Sequence, residues 1–92
     1  MSDESFEQPI DGTLDLHTFS PKDVVSLVPE YIEECHARGI HHLRIIHGKG
    51  TGTLRNIVHS ILQAHPLVES YRHESGSGGS WGATVVDLKP NS

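Results

Sequence analysis

The chain has 92 residues, which is one small domain with no room for two independent cores. Apolar residues make up 35% and uninterrupted apolar runs never exceed two residues, as at Val24-Val25, Ile45-Ile46 and Val85-Val86. That excludes a transmembrane helix, and the polar, acidic stretch from Met1 to Gly12 excludes a secretory signal. The single cysteine, Cys35, can form neither an intramolecular disulfide nor a multi-thiolate zinc site, so the expected address is the reducing cytoplasm. Net charge is −5, but its distribution matters more than its sum. Residues 1–35 carry nine acids and one base, whereas residues 36–68 carry no acid, four bases (Arg38, Arg44, Lys49 and Arg55) and six of the eight histidines. An acidic chain with a basic middle third can still present a phosphate-attracting pocket.

Taken in order, residues 1–9 read as a disordered acidic tail, and residues 10–92 as a single domain. Thr13-Leu14-Asp15-Leu16-His17 alternates with period two and predicts a strand with Leu14 and Leu16 on one face, Thr13, Asp15 and His17 on the other. Ser20, Pro21 and Asp23 supply a helix start, and Val24, Val28, Tyr31, Ile32 and Cys35 form one apolar stripe ending before Gly39. Pro29 conflicts with this helix, and a kink or an irregular first turn is expected near 25–29. Leu43 to His47 reads as a second strand running into the glycine-rich turn 48–53. Leu54, Ile57, Val58, Ile61 and Leu62 then fit a second amphipathic helix, closed by His65-Pro66. Val68 to His73 reads as a polar edge strand, Glu74 to Gly82 as a flexible hairpin loop, and Ala83 to Leu88 as an apolar central strand. The order β-α-β-α-β-β, with right-handed crossover, predicts an α/β two-layer sandwich. Its mixed four-stranded sheet would carry both helices on one face.

In such sheets ligands collect beyond the carboxyl ends of the strands. Asp15 and His17 end the first strand; His47-Gly48-Lys49-Gly50 ends the second, so the two segments should meet in one cleft. Gly48, Gly50 and Gly52 let backbone N–H groups converge ahead of a helix start, with Thr51 between them and Lys49 and Arg55 supplying charge. This is a phosphate cradle, yet it has neither the Walker A nor the dinucleotide-fold spacing. His17 and His47 are candidates for general acid and base in phosphodiester cleavage, with Asp15 orienting a histidine or holding a cation. Trp81 either stacks on a base or folds over the sheet edge. His36, His41, His59, His65 and His73 read as surface or satisfied residues, His42 is left open, and Cys35 reads as core. No cofactor is demanded, no H-E-x-x-H or second cysteine points to a resident metal, and a divalent cation at Asp15 is compatible with the pattern.

Leu14-Asp15-Leu16-His17, His47-Gly48-Lys49-Gly50 and Ser80-Trp81-Gly82-Ala83-Thr84-Val85-Val86, together with Leu54-Arg55, resemble the ordered motifs of the Smr (small MutS-related) domain family, here as a stand-alone small member. The resemblance spans about residues 12–89. It implies a β-α-β-α-β-β sandwich like the C-terminal domain of a bacterial translation initiation factor. It also implies binding of DNA or RNA, endonuclease cleavage in many members, and ribosomes or repair intermediates as partners, with no membrane. Family roles carry onto Asp15 and His17 as a catalytic pair and onto His47, Gly48, Lys49 and Gly50 as the substrate loop. Two departures are the Thr18-Phe19 pair where most members have glycine after the first histidine, and the want of an accompanying targeting domain. The alternative function is a non-catalytic module that docks on nucleic acid or a ribonucleoprotein, and a third option is a protein–protein adaptor using the acidic first helix. Binding alone needs only the loop and its bases, so the presence of Asp15 and His17 together favours the enzyme.

Overall fold

The computed structural model describes residues 10–48, 52–76 and 79–91, with backbone only at 75, 76 and 79–81. The predicted tail 1–9 and the loop residues Lys49, Gly50 and Thr51 lie outside the described residues. The elements run β1 (Thr13–Asp15), α1 (Pro21–Ala37), β2 (His42–Ile46), α2 (Thr53–Ala64), β3 (Val68–Gly76) and β4 (Gly79–Leu88). They build a four-stranded mixed sheet in the order β1-β2-β4-β3. β1 and β2 are parallel, with Asp15 opposite Ile46, and β4 is antiparallel to both β2 and β3. No helix among the described residues is long and apolar enough to cross a membrane.

The alternation in the strands sorts residues between two faces. Leu14, Leu43, Ile45, Val86 and Leu88 point into a core that also holds Val24, Val28, Tyr31, Ile32 and Cys35 of α1 and Val58 and Leu62 of α2. Both helices therefore cover one face. The other face carries polar pairs, among them Arg44 with Glu74 and His42 with Asp87. The near-continuous apolar β4 is central and the polar β3 is an edge, as expected.

Local chemistry accounts for the helix ends. The Ser20 hydroxyl accepts the Asp23 backbone N–H at 3.4 Å, and Pro21 fills the first helical position where no donor is missed. At the other end Gly39 adopts φ +80°, and Ile40 N–H and Gly39 N–H bond the Cys35 and His36 carbonyls, a Schellman closure. α1 runs helical through Pro29, with its first turn regular. The carbonyl that proline leaves without a donor belongs to Val25, which is 53% exposed, so water can satisfy it.

The expected flexible loop 74–82 is also corrected. β3 and β4 stay paired through Ser75↔Ser80 and Gly76↔Gly79 beyond an irregularity between His73 and Ser75. Backbone ladders need no side chains, so a serine- and glycine-rich stretch can extend a hairpin whose register is already set. Trp81 consequently sits on β4 rather than in a loop; its side chain lies outside the described residues. β1 is shorter than expected, ending at Asp15, although Leu16 N–H still bonds the Ile46 carbonyl. β2 begins one residue earlier and stops just before His47.

Tyr31 locks α1 to the start of β1. Its hydroxyl accepts the buried Gly12 N–H at 3.0 Å and donates to the Thr13 carbonyl at 3.2 Å. Burial pushes this phenol up to about 12, so it remains a neutral donor, and burial likewise raises the Cys35 thiol, consistent with a core residue. Tyr31→Phe strands the Gly12 amide and should cost about 1–3 kcal/mol in urea denaturation; an unchanged midpoint would mean that water replaces the hydroxyl.

Candidate active site at the carboxyl edge of the sheet

Parallel pairing of β1 and β2 sets the ends of both strands side by side. Asp15 is the last residue of β1, and the chain turns immediately, closing with Phe19 N–H on the Leu16 carbonyl at 3.0 Å. Within that turn Asp15 Oδ1 accepts the His17 backbone N–H at 3.0 Å and the His17 ring Nδ1–H at 2.7 Å. Both bonds stabilise the ionised carboxylate and hold Asp15 below the usual carboxylate range. An ionised carboxylate only accepts, so the contact fixes the proton on Nδ1 and leaves Nε2 as the working nitrogen of His17. The His17 side chain is 69% exposed. The pair is thus an oriented imidazole open to solvent, suited to take or give a proton at Nε2.

The second segment is placed beside the first, but its ring is not. His47 follows the buried positions Leu43 and Ile45, so its side chain points to the helix-covered face and is only 5% exposed. Asp15 belongs to the opposite face, with its register partner Ile46. The structure therefore brings the backbones of Asp15 and His47 together without bringing the rings of His17 and His47 together. His47 Nδ1 donates to the Gly48 carbonyl at 3.1 Å, and Nε2 lies 2.9 Å from the Thr84 hydroxyl. The same hydroxyl lies 2.9 Å from His59 Nε2. A threonine has one proton to give. With neutral His47 protonated on Nδ1, Thr84 donates to His47 and accepts from His59. Burial lowers the affinity of both rings for a second proton, reinforced by His73 and Arg55 nearby.

His59 and His73, read from sequence as unremarkable, belong with His47: ring centroids are 6.2 Å apart for His47–His59, 6.1 Å for His47–His73 and 5.2 Å for His59–His73. No sequence spacing announces this, because α2, β3 and the end of β2 supply one ring each. Arg55, an expected phosphate contact, lies in the first turn of α2, with Nη1 3.3 Å from His73 Nε2. Gly52 is the N-cap of α2 at φ +89°, a conformation natural to glycine. Among the described residues no group of three or more His, Cys, Asp or Glu is placed to hold a metal ion.

Gly48 is held from below by Gly82. The Gly82 carbonyl accepts both the His47 and the Gly48 amides at 2.8 Å. A Cβ on Gly82, at φ +64°, would lie 2.4 Å from the Gly48 carbonyl carbon. Two backbones can approach so closely only with no side chain between them.

A family model described as the Smr domain matches residues 14–89 of the chain. The endonuclease MutS2 of Caldicellulosiruptor saccharolyticus is 35% identical over 83 residues, 90% of this chain and 10% of that protein. The endonuclease MutS2 of Clostridium tetani is 38% identical over 81 residues, 87% of this chain and again 10% of its own length. The chain thus spans about a tenth of the curated relatives that it matches. Among solved structures, the Smr domain of Thermus thermophilus MutS2 superposes with a TM-score of 0.80 at 35% identity, covering 87% of this chain and all of that one. YdaL, a stand-alone small MutS-related protein from Escherichia coli, superposes at 0.77 with 26% identity, covering 85% of this chain and 64% of its own.

Two outcomes follow from the geometry. Gly82→Ala forces backbone against backbone at positive φ and should lower stability by about 2 kcal/mol or more in urea, and a variant as stable as the parent would show that the Gly48 contact is dispensable. The depressed His47 and His59 make the fold acid-sensitive: the unfolded chain takes up protons below about pH 6.5 more readily than the folded one, so stability is complete above that value and falls as pH is lowered through it. His59→Gln keeps a donor for Thr84 and should flatten the loss of urea midpoint between about pH 7.5 and about pH 5.5. An acid dependence equal to the parent's would assign the effect to other groups.

Proposed function

The chain belongs to the Smr domain family, and on that premise we propose that it binds nucleic acid and cleaves its phosphodiester backbone as an endonuclease, with Asp15 and His17 as the catalytic pair. The observation that carries this reading is the Asp15–His17 contact of 2.7 Å, which orients an exposed imidazole at the carboxyl edge of the sheet. Binding would not need that orientation, whereas proton transfer does. The relatives from Caldicellulosiruptor and Clostridium carry the name endonuclease, which supports the same reading.

In the proposed mechanism His17 Nε2 removes the proton from the attacking hydroxyl, a ribose 2′-hydroxyl on RNA or a water on DNA; the new P–O bond forms as the P–O bond to the leaving nucleoside oxygen breaks, and that oxygen takes its proton from solvent. Asp15 keeps the proton on Nδ1 and stabilises the imidazolium that forms. Were a divalent cation to bind, Asp15 would hold it, and the cation would supply an activated water. Gly48, Lys49, Gly50, Thr51 and Gly52, together with Arg55 and Trp81, are assigned in this reading to binding the nucleic-acid backbone and its bases. His47 acts as a positioning residue here. Its Nδ1–H bonds the Gly48 carbonyl, and it fixes the point from which the glycine loop leaves β2.

The decisive experiment is a gel assay on labelled single- and double-stranded DNA and RNA, with and without EDTA. His17→Ala should lower cleavage by about 10²-fold or more while binding changes little. Cleavage that survives His17→Ala places the chemistry elsewhere, and binding without cleavage in the parent chain makes this a docking module. Loss of activity in EDTA would move Asp15 from orienting group to metal ligand.

A further inference from the structure

We propose that Arg55, His59 and His73 form a second phosphate subsite, on the helix-covered side of the sheet, that holds a backbone phosphate other than the one being cleaved. This rests on the reading above in taking the ligand to be a nucleic-acid backbone. The argument begins with charge pairing. Arg38 pairs with Glu34 at 3.0 Å, Arg44 with Glu74 at 2.9 Å and Arg72 with Asp87 at 3.9 Å. Arg55 has no carboxylate partner among the described residues and instead points Nη1 at His73 Nε2, 3.3 Å away. A guanidinium cannot accept, so the imidazole offers its lone pair, a weaker partner than the anion that arginine matches by geometry and charge.

Its position adds a second, independent cost. Arg55 sits in the first turn of α2, where the helix dipole disfavours a cation, and that turn has no acidic residue and no side-chain cap. The groups facing it repeat the pattern. His73 comes from β3, His59 from α2 and His47 from β2, with Thr84 of β4 and Tyr71 of β3 as neutral neighbours. Glu74, next to His73 in the chain, is turned to Arg44 on the other face. Thr84 holds His59 through Nε2, which leaves Nδ1 as the nitrogen that can take up a proton. Arg55 and His73 are exposed and His59 half-buried, so the cluster is open to a ligand. An anion here relieves the dipole, gives Arg55 a charged partner, and lets the imidazoles become donors.

The place in the sheet separates this subsite from the catalytic pair. β3 lies at the edge opposite β1, three strand spacings away, or about 14 Å. One phosphate cannot touch both, whereas a strand laid across the carboxyl ends of the sheet can.

The test uses the full chain with nitrogen-15-labelled histidines and inorganic phosphate as the probe, against chloride at matched ionic strength. The His59 and His73 ring signals should shift saturably with phosphate, and the shift should vanish in Arg55→Gln. In parallel, Arg55→Gln should reduce the slope of log affinity against log salt for a labelled single-stranded oligonucleotide by about one. Rings that do not respond to phosphate, or a salt slope equal to the parent's, overturn the subsite. A chain that takes phosphate at these rings but neither binds nor cleaves the oligonucleotide overturns the nucleic-acid reading and leaves an anion site. A chain that cleaves with unresponsive rings does the reverse.

Discussion

The contact between Gly82 and Gly48 is the constraint on which the functional edge depends. One carbonyl takes two successive amides, and the two main chains pass at a distance that excludes any Cβ. The first residues of β4 are thereby fastened to the exit of β2. The exit then has a fixed direction, with His47 turned down into the core side. β1 is in register with β2 up to Asp15↔Ile46, so the same anchorage also sets the height of the Asp15–His17 turn. Gly48 and that turn are held to one reference frame by backbone pairing.

The sheet separates two kinds of polar chemistry by its pleat. On the open face, carboxylates meet arginines and an imidazole: Arg44 with Glu74, Arg72 with Asp87, and His42 with Asp87 at 2.5 Å. On the covered face, polar groups are neutral or cationic and are satisfied through hydroxyl and carbonyl oxygens. An overall charge of −5 is thus compatible with a locally positive end, because the acids are spent on α1, the tail and the open face.

Much of this was legible in the sequence. The stripe Val24, Val28, Tyr31, Ile32 and Cys35 is buried as its spacing requires, and Leu54, Ile57, Val58, Ile61 and Leu62 pack on the same core. Asp15 and His17 were readable as a pair because their contact is local, two residues apart. The His47–Thr84–His59 chain was not, since its partners stand 37 and 25 residues apart and meet only through strand register and the packing of α2 on the sheet. Composition misled at residues 74–82, where glycine and serine suggested a loop but the ladder continued on backbone groups. Pro29 is accommodated inside α1: its cost is real, yet it falls on the wet side of the helix. The opposed orientation of His17 and His47 followed from the alternation of both strands, but only once their register was known.

β1 is three residues long and, among the described residues, has no strand on its outer side. Such brevity leaves little unpaired backbone to recruit a foreign strand. Among the described residues no strand walls the outer flank of the Asp15–His17 turn either. On the proposed function, a polymer would be set against that flank anywhere along its length, with no free end to thread. Selection among its positions would then come from its shape and from contacts made away from the point of cleavage.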